Sequence, residues 1–90
     1  MTADVRLSVM FVDDEPLVLR SIARLLETAP LEVLTAGSGA EALRVLEQRP
    51  VDVLVADFDM PQMTGLELLG IVRQRYPGVV RMVLTGNATV

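Results

Sequence analysis

The chain has 90 residues, a net charge of −4 and a pI near 4.6, and this length supports one domain. It is 51% apolar but only 3% aromatic, which excludes a disordered chain and leaves Val, Leu, Ile, Met and Ala to build the core. Cysteine and histidine are absent, which excludes disulfides, thiolate metal sites, thiol catalysis and the commonest general base, while the acidic balance argues against direct nucleic-acid binding.

All eight basic residues are arginines, scattered without a stripe. The N-terminus lacks the pattern of a secretory signal, and no apolar run approaches the ~20 residues of a membrane helix. The expected location is the cytoplasm, with no membrane partner.

In chain order, Leu7–Val12 is a near-continuous apolar run, as expected of a strand covered on both faces. It ends at the acids Asp13 and Asp14. Pro16 fits the first turn of a helix capped by Asp14 or Glu15. Val18, Leu19, Ile22, Leu25 and Leu26 form its apolar stripe, and Pro30 closes it. Glu32–Ala36 reads as a short second strand. Ser38 and Glu41 have capping-box spacing and open a helix carrying Ala42, Leu43, Val45 and Leu46, which Pro50 ends.

Val51–Ala56 is the third apolar run, and Asp57 follows it directly. Thr64 and Glu67 repeat the capping-box spacing and open a helix to about Arg75, broken by Pro77-Gly78. Val79–Leu84 is the expected fourth strand, and Asn87 would cap a helix just beginning. The order β-α-β-α-β-α-β implies an α/β fold, a parallel sheet with helices on both faces.

In open sheets of this kind a site forms at the carboxyl ends of the strands. Asp13, Asp14, Asp57 and Thr85 fall at such ends, whereas Glu32 and Asp52 fall at the opposite edge. Each pair of carboxylates ~4 Å apart repels by roughly 4 kcal/mol at an effective dielectric of ~20. Such a pocket therefore needs a cation or a proton. Without His or Cys, the cation must be a hard, oxygen-seeking one such as Mg²⁺.

Plainer roles exist for several of these residues. An acidic pair before a helix also serves as a cap, Thr85 could be a turn residue, and Met60 and Met63 suit loop packing. The Asp59 side chain suits a solvated loop, and Phe58 suits either packing or a partner. Gly37-Ser-Gly39-Ala-Glu-Ala42 matches a dinucleotide-binding turn. It sits on the second strand, however, and leaves Asp13 and Asp14 unexplained, so a tight turn plus capping box accounts for it better. Asp57-Phe-Asp59 resembles the nucleophile motif of haloacid-dehalogenase-type phosphatases, yet it continues as Met60-Pro61 and the chain has no room for their other motifs.

The segment Asp57–Gly65 reads D-x-x-M-P-x-M-x-G. Together with Val-Asp-Asp-Glu-Pro at 12–16 and Leu84-Thr85-Gly86, it closely resembles the receiver domain of bacterial two-component response regulators. The resemblance covers essentially the whole chain. It implies a flavodoxin-like fold with strand order 2-1-3-4-5. It further implies that Asp57 is the phosphoacceptor, taking its phosphoryl group from a histidine kinase. Asp14 would bind Mg²⁺ directly and Asp13 mainly through water, with Asp57 and the Asp59 backbone carbonyl completing the ligands. Thr85 would sense the phosphoryl group through its hydroxyl, and Pro61 and Gly65 would shape the loop after the acceptor.

One departure from the family pattern is serious. A complete receiver has a fifth strand, a switch aromatic on it and a lysine beyond, and this sequence reaches Val90 without any of them. Residues 1–90 are thus expected to be a truncated receiver with strand order 2-1-3-4, lacking most of helix 4, strand 5 and helix 5. Its fourth strand becomes an apolar edge that invites self-association. The tail Leu-Thr-Gly-Asn-Ala-Thr resembles receivers attached to HD-type phosphodiesterase outputs. No independent enzyme is expected beyond Mg²⁺-dependent self-phosphorylation and autodephosphorylation. The competing readings are a non-switching pseudo-receiver or docking module, a self-associating fragment, and a small aspartyl-phosphate phosphatase.

Overall fold

Residues 6–85 are described by the structure, a computed structural model. Four strands, β1 (Leu7–Val12), β2 (Leu31–Ala36), β3 (Val53–Asp57) and β4 (Val80–Leu84), form one parallel sheet in the order β2-β1-β3-β4. Three helices join them: α1 (Pro16–Leu25), α2 (Gly39–Gln48) and α3 (Gly65–Arg75). This is the strand order expected from the sequence. Asn87 and Gly86 lie outside the described residues.

The core lies on one face of the sheet. Met10, Val12, Ala36, Leu54 and Ala56 alternate along β1, β2 and β3 onto that face, where Ala42 and Leu46 of α2 and Leu68 and Val72 of α3 meet them. Met10, Leu54 and Leu68 are completely buried, a placement that stabilises by about 2 kcal/mol per side chain. The other face carries Val9, Phe11, Val53 and Val55, and α1 lies over its β2 side. No residue of α1 is fully buried, and Leu17 and Leu25 are largely exposed.

Strand boundaries differ from the hydrophobic runs for identifiable reasons. β3 begins at Val53 because Asp52 is engaged in a clasp with β1. The Asp52 N–H donates to the Ser8 hydroxyl at 2.9 Å, and the Ser8 N–H and hydroxyl both donate to the Asp52 carboxylate at 2.8 and 3.0 Å. The strand extends through Asp57, which pairs in register with Leu84. β4 begins at Val80 because the Val79 N–H closes a turn onto the Tyr76 carbonyl after Pro77-Gly78. β2 starts one residue early, where Leu31 pairs with Leu7.

Caps behave largely as their spacing implies. Thr64 and Glu67 make a complete capping box. At α2 the box is half made: the Ser38 hydroxyl accepts from the Glu41 N–H, but the Glu41 carboxylate accepts from Gly37 instead of Ser38. Glu15 occupies the N-cap position of α1 through backbone geometry alone, with Pro16 following. α1 ends at Leu25, and a turn occupies the residues up to Pro30.

Among the described residues β4 is the uncovered apolar edge that the sequence implied. Val80, Met82 and Leu84 share the α1 face of the sheet but lie two strands beyond the reach of α1, and all three are exposed.

Candidate functional site

Asp13, Asp14 and Asp57 meet at the carboxyl edge of the sheet. Asp13 follows β1 and is fixed by its own backbone, its N–H donating to the Ala36 carbonyl at 3.1 Å. Its carboxylate accepts from the Glu15 N–H at 2.9 Å, tying the acid to the entry of α1. Asp57 closes β3, and the next N–H, of Phe58, donates to the Leu84 carbonyl at 2.8 Å. One carboxylate oxygen from each of the three acids lies within 4.8 Å of the others. Asp13 and Asp57 are half-buried and Asp14 is exposed.

Electrostatics mark Asp57 as the member under load. Burial, then the neighbouring charge of Asp13, raise its pKa above the ordinary carboxylate value; Asp14 and Asp59 add to the effect. A hydrogen bond from the Asp59 backbone N–H opposes it. An all-carboxylate donor set of this size fits a hard divalent cation, whose ligand oxygens sit ~2.0–2.6 Å from the metal and therefore up to about 5 Å from one another. A cation there would offset the repulsion that raises Asp57.

Asp59 is exposed in the loop after β3. Thr85 follows β4 at the same edge, one residue beyond the carbonyl that binds Phe58. Glu32 and Asp52 lie at the opposite edge and take no part in the cluster. Glu32 makes a two-pronged pair with Arg49, both contacts at 2.7 Å, which lowers its pKa. Asp52 is lowered by its hydrogen bonds from Ser8.

The loop from Phe58 to Thr64 is held from three sides. Met60 is buried in the core, Met63 packs on Gly39 at the start of α2, and the Gly65 N–H donates to the Phe58 carbonyl at 3.1 Å. A Cβ at Gly65 would overlap the Asp57 carbonyl oxygen and lie 3.0 Å from its carbon. Glycine thus lets the N-terminus of α3 abut the backbone of Asp57 itself. Gln62 adopts a left-handed backbone with φ of 71°. Nothing in a glutamine signals this, because Asn or Gly is the usual occupant of that region.

The profile of the response regulator receiver domain matches residues 9–90. The transcriptional regulatory protein GlrR of Escherichia coli strain K12 is 35% identical over 81 residues, covering 90% of this chain but 18% of that protein. Among solved structures, the signal receiver domain of an HD domain-containing protein from Pseudomonas fluorescens Pf-5 has a TM-score of 0.89 at 31% identity, covering 96% of this chain and 69% of that one. The response regulator TrrA from Thermotoga maritima, solved in complex with Mg²⁺-BeF, has a TM-score of 0.84 at 29% identity, covering 91% and 71%. The chain therefore spans about a fifth of its curated relative and about two thirds of the solved receivers. With the strand order and the acidic edge already in place, the profile match establishes that this chain belongs to the response regulator receiver domain family.

Proposed function

We propose that this chain accepts a phosphoryl group from a histidine kinase on Asp57, in a pocket where Asp13, Asp14, Asp57 and the Asp59 carbonyl hold Mg²⁺. The observation that carries this reading is the convergence of three carboxylates from two strand ends within 4.8 Å. The likeness to TrrA, a receiver solved with Mg²⁺-BeF, supports it. When bound, Mg²⁺ neutralises charge on the phosphoryl oxygens and orients them.

The chain's own residues supply the rest. An Asp57 carboxylate oxygen attacks phosphorus, the bond from phosphorus to the donor imidazole nitrogen breaks, and that nitrogen leaves with the bonding electron pair and takes up a proton. Asp13, fixed by Ala36 and Glu15, holds its carboxylate beside the acceptor. The Asp59 N–H steadies the acceptor oxygen. Thr85 then reports the modification through its hydroxyl to the surface beyond β4, switching an output.

A second reading is a docking module that binds the cation without switching. Incubation with Mg²⁺ and acetyl phosphate separates the two. A hydroxylamine-labile adduct of one phosphoryl group, absent in Asp57→Asn, supports the acceptor. No adduct supports the docking module, and repeated turnover without an adduct supports a phosphatase.

Three further proposals concern context. The likeness to the receiver of an HD domain-containing protein supports an HD-type output in the parent protein. No helix among the described residues is long and apolar enough to cross a membrane, in keeping with a cytoplasmic location. The apolar, exposed β4 edge supports self-association.

A further inference from the structure

The junction between β2 and α2 contributes no acid to the cluster, yet it touches both sides of it. On one side the Ala36 carbonyl accepts from the Asp13 N–H at 3.1 Å. On the other, Gly39 at the start of α2 lies against Met63, in the loop that follows Asp57. The two glycines of this junction are not equivalent. A Cβ at Gly37 would meet only a Glu41 carboxylate oxygen, at 3.4 Å. A Cβ at Gly39 would overlap the Met63 sulfur and lie 3.3 and 3.4 Å from its Cγ and Cβ. Gly39 is buried and its φ is not positive, so close approach, not backbone freedom, is what calls for glycine there.

The loop that ends on this contact is strained. The Met63 N–H donates to the Pro61 carbonyl at 2.7 Å across Gln62, whose φ is 71°. A three-residue turn with that sign of φ is the strained form of the γ-turn, and it persists only where its surroundings hold it. Met60, buried in the core, anchors the turn on one side. Met63, packed against the core and seated on Gly39, anchors it on the other.

A short path of bonds runs from that seat to Asp57. Two residues after Met63, the Gly65 N–H donates to the Phe58 carbonyl at 3.1 Å. This carbonyl and the Asp59 N–H belong to one planar peptide unit, so whatever sets the direction of one sets the other. The Asp59 N–H in turn donates to the Asp57 carboxylate. A displaced Met63 therefore turns the peptide that faces Asp57, although no atom of Gly39 or Met63 belongs to the acidic cluster.

We infer that Gly39 and Met63 are positioning residues for the acidic pocket: the β2–α2 junction holds Asp13 through the Ala36 carbonyl and sets the Phe58–Asp59 peptide through the seat of Met63 on Gly39, fixing the two halves of the pocket relative to each other. This explains the second glycine of Gly37-Ser-Gly39 without a nucleotide. It rests on the Mg²⁺ pocket proposed above for its metal readout, and on the geometry of the metal-free chain for its loop readout.

The test is a double-mutant cycle in the 90-residue chain. Gly39→Ala obstructs the seat and Met63→Ala removes its occupant. Each should weaken Mg²⁺ binding, measured by calorimetry, on the order of tenfold, as loss of a residue that orients metal ligands does. In EDTA each should speed amide hydrogen exchange of Asp59 and Met63, followed by NMR, by a similar factor. Gly39→Ala/Met63→Ala should be no worse than Met63→Ala alone, because both act through one contact. Val72→Ala, a core truncation in α3 away from the loop, should lower the melting temperature and leave the Mg²⁺ affinity and both amides as in the parent. All variants are compared at a temperature where circular dichroism shows them folded.

Unchanged Asp59 and Met63 exchange in Gly39→Ala overturns the inference, as do effects that multiply in the double variant. Val72→Ala moving the same amides as far overturns it too, since the contact would then act through stability alone. A parent chain that binds no Mg²⁺ overturns the metal pocket, and amide exchange in EDTA still decides whether Gly39 and Met63 set the loop.

Discussion

Replacing Asp57 by Asn should make the metal-free protein more stable while removing the proposed acceptor. Asp57 faces Asp13 and Asp14 with carboxylate oxygens within 4.8 Å. Two unit charges at that separation repel by about 3.5 kcal/mol at an effective dielectric of ~20 and by about 0.9 kcal/mol in bulk water. Asp14 is exposed and Asp13 only half-buried, so screening selects the lower figure, and two such pairs amount to roughly 2 kcal/mol. Asparagine keeps the shape and can still accept from the Asp59 N–H. For a domain of this size about 1 kcal/mol shifts the melting temperature by roughly 4–8 °C, so the variant in EDTA should melt on the order of 10 °C higher. Added Mg²⁺ should stabilise the parent, by about 2.7 kcal/mol at 100 times its Kd, and the variant far less, closing the gap. The folded pKa of Asp57 is raised above 3.8. The penalty is therefore full above that folded value and disappears as pH falls toward 3.8, and the advantage of asparagine should shrink with it. Differential scanning fluorimetry in EDTA and in Mg²⁺ reads both effects. A variant no more stable than the parent in EDTA, or one gaining as much from Mg²⁺, would refute the account of the pocket as a repulsive cluster relieved by a cation.

Gly65→Ala should destabilise by roughly 2–3 kcal/mol in urea melts, because the clash is with backbone that cannot rotate away. It should also weaken Mg²⁺ binding, since the displaced carbonyl belongs to Asp57. Gln62→Gly should stabilise by about 0.5–1 kcal/mol in the same assay, because a left-handed φ of 71° costs glycine nothing. The pKa values of Asp52 and Glu32 are lowered by hydrogen bonds from Ser8 and Arg49 respectively. Their contributions are present above the unfolded values of 3.8 and 4.5 and are lost as pH falls through the lower folded ones. Ser8→Ala should accordingly move the acid-unfolding midpoint, followed by circular dichroism, to higher pH.

The sequence made the site legible because its chemistry is concentrated at strand ends. Apolar runs with acids directly after them, joined by helix-length segments, force a parallel sheet that carries those acids to one edge. The cluster of Asp13, Asp14 and Asp57 follows from topology, without any need to know how side chains pack. What stayed hidden depends on contacts between distant residues. Ser8 looks like a polar flaw in an apolar strand until Asp52, 44 residues away, is found beside it. Gln62 carries no residue-level mark of its left-handed backbone.

β4 is instructive because, as the sequence implied, its composition is that of a buried strand while its surroundings among the described residues are those of an edge. An apolar run states that a strand is compatible with burial on both faces; it does not state what performs the burial. In β1 and β3 the helices and flanking strands do so. Among the described residues α3 alone packs on β4, and Val80, Met82 and Leu84 are exposed. Exposing three such side chains forgoes roughly 1 kcal/mol or more apiece relative to burial. The same strand delivers the Leu84 carbonyl to the Phe58 N–H beside Asp57. β4 thereby steadies the end of β3 that presents Asp57, which joins the strand pairing to the geometry of the acidic cluster.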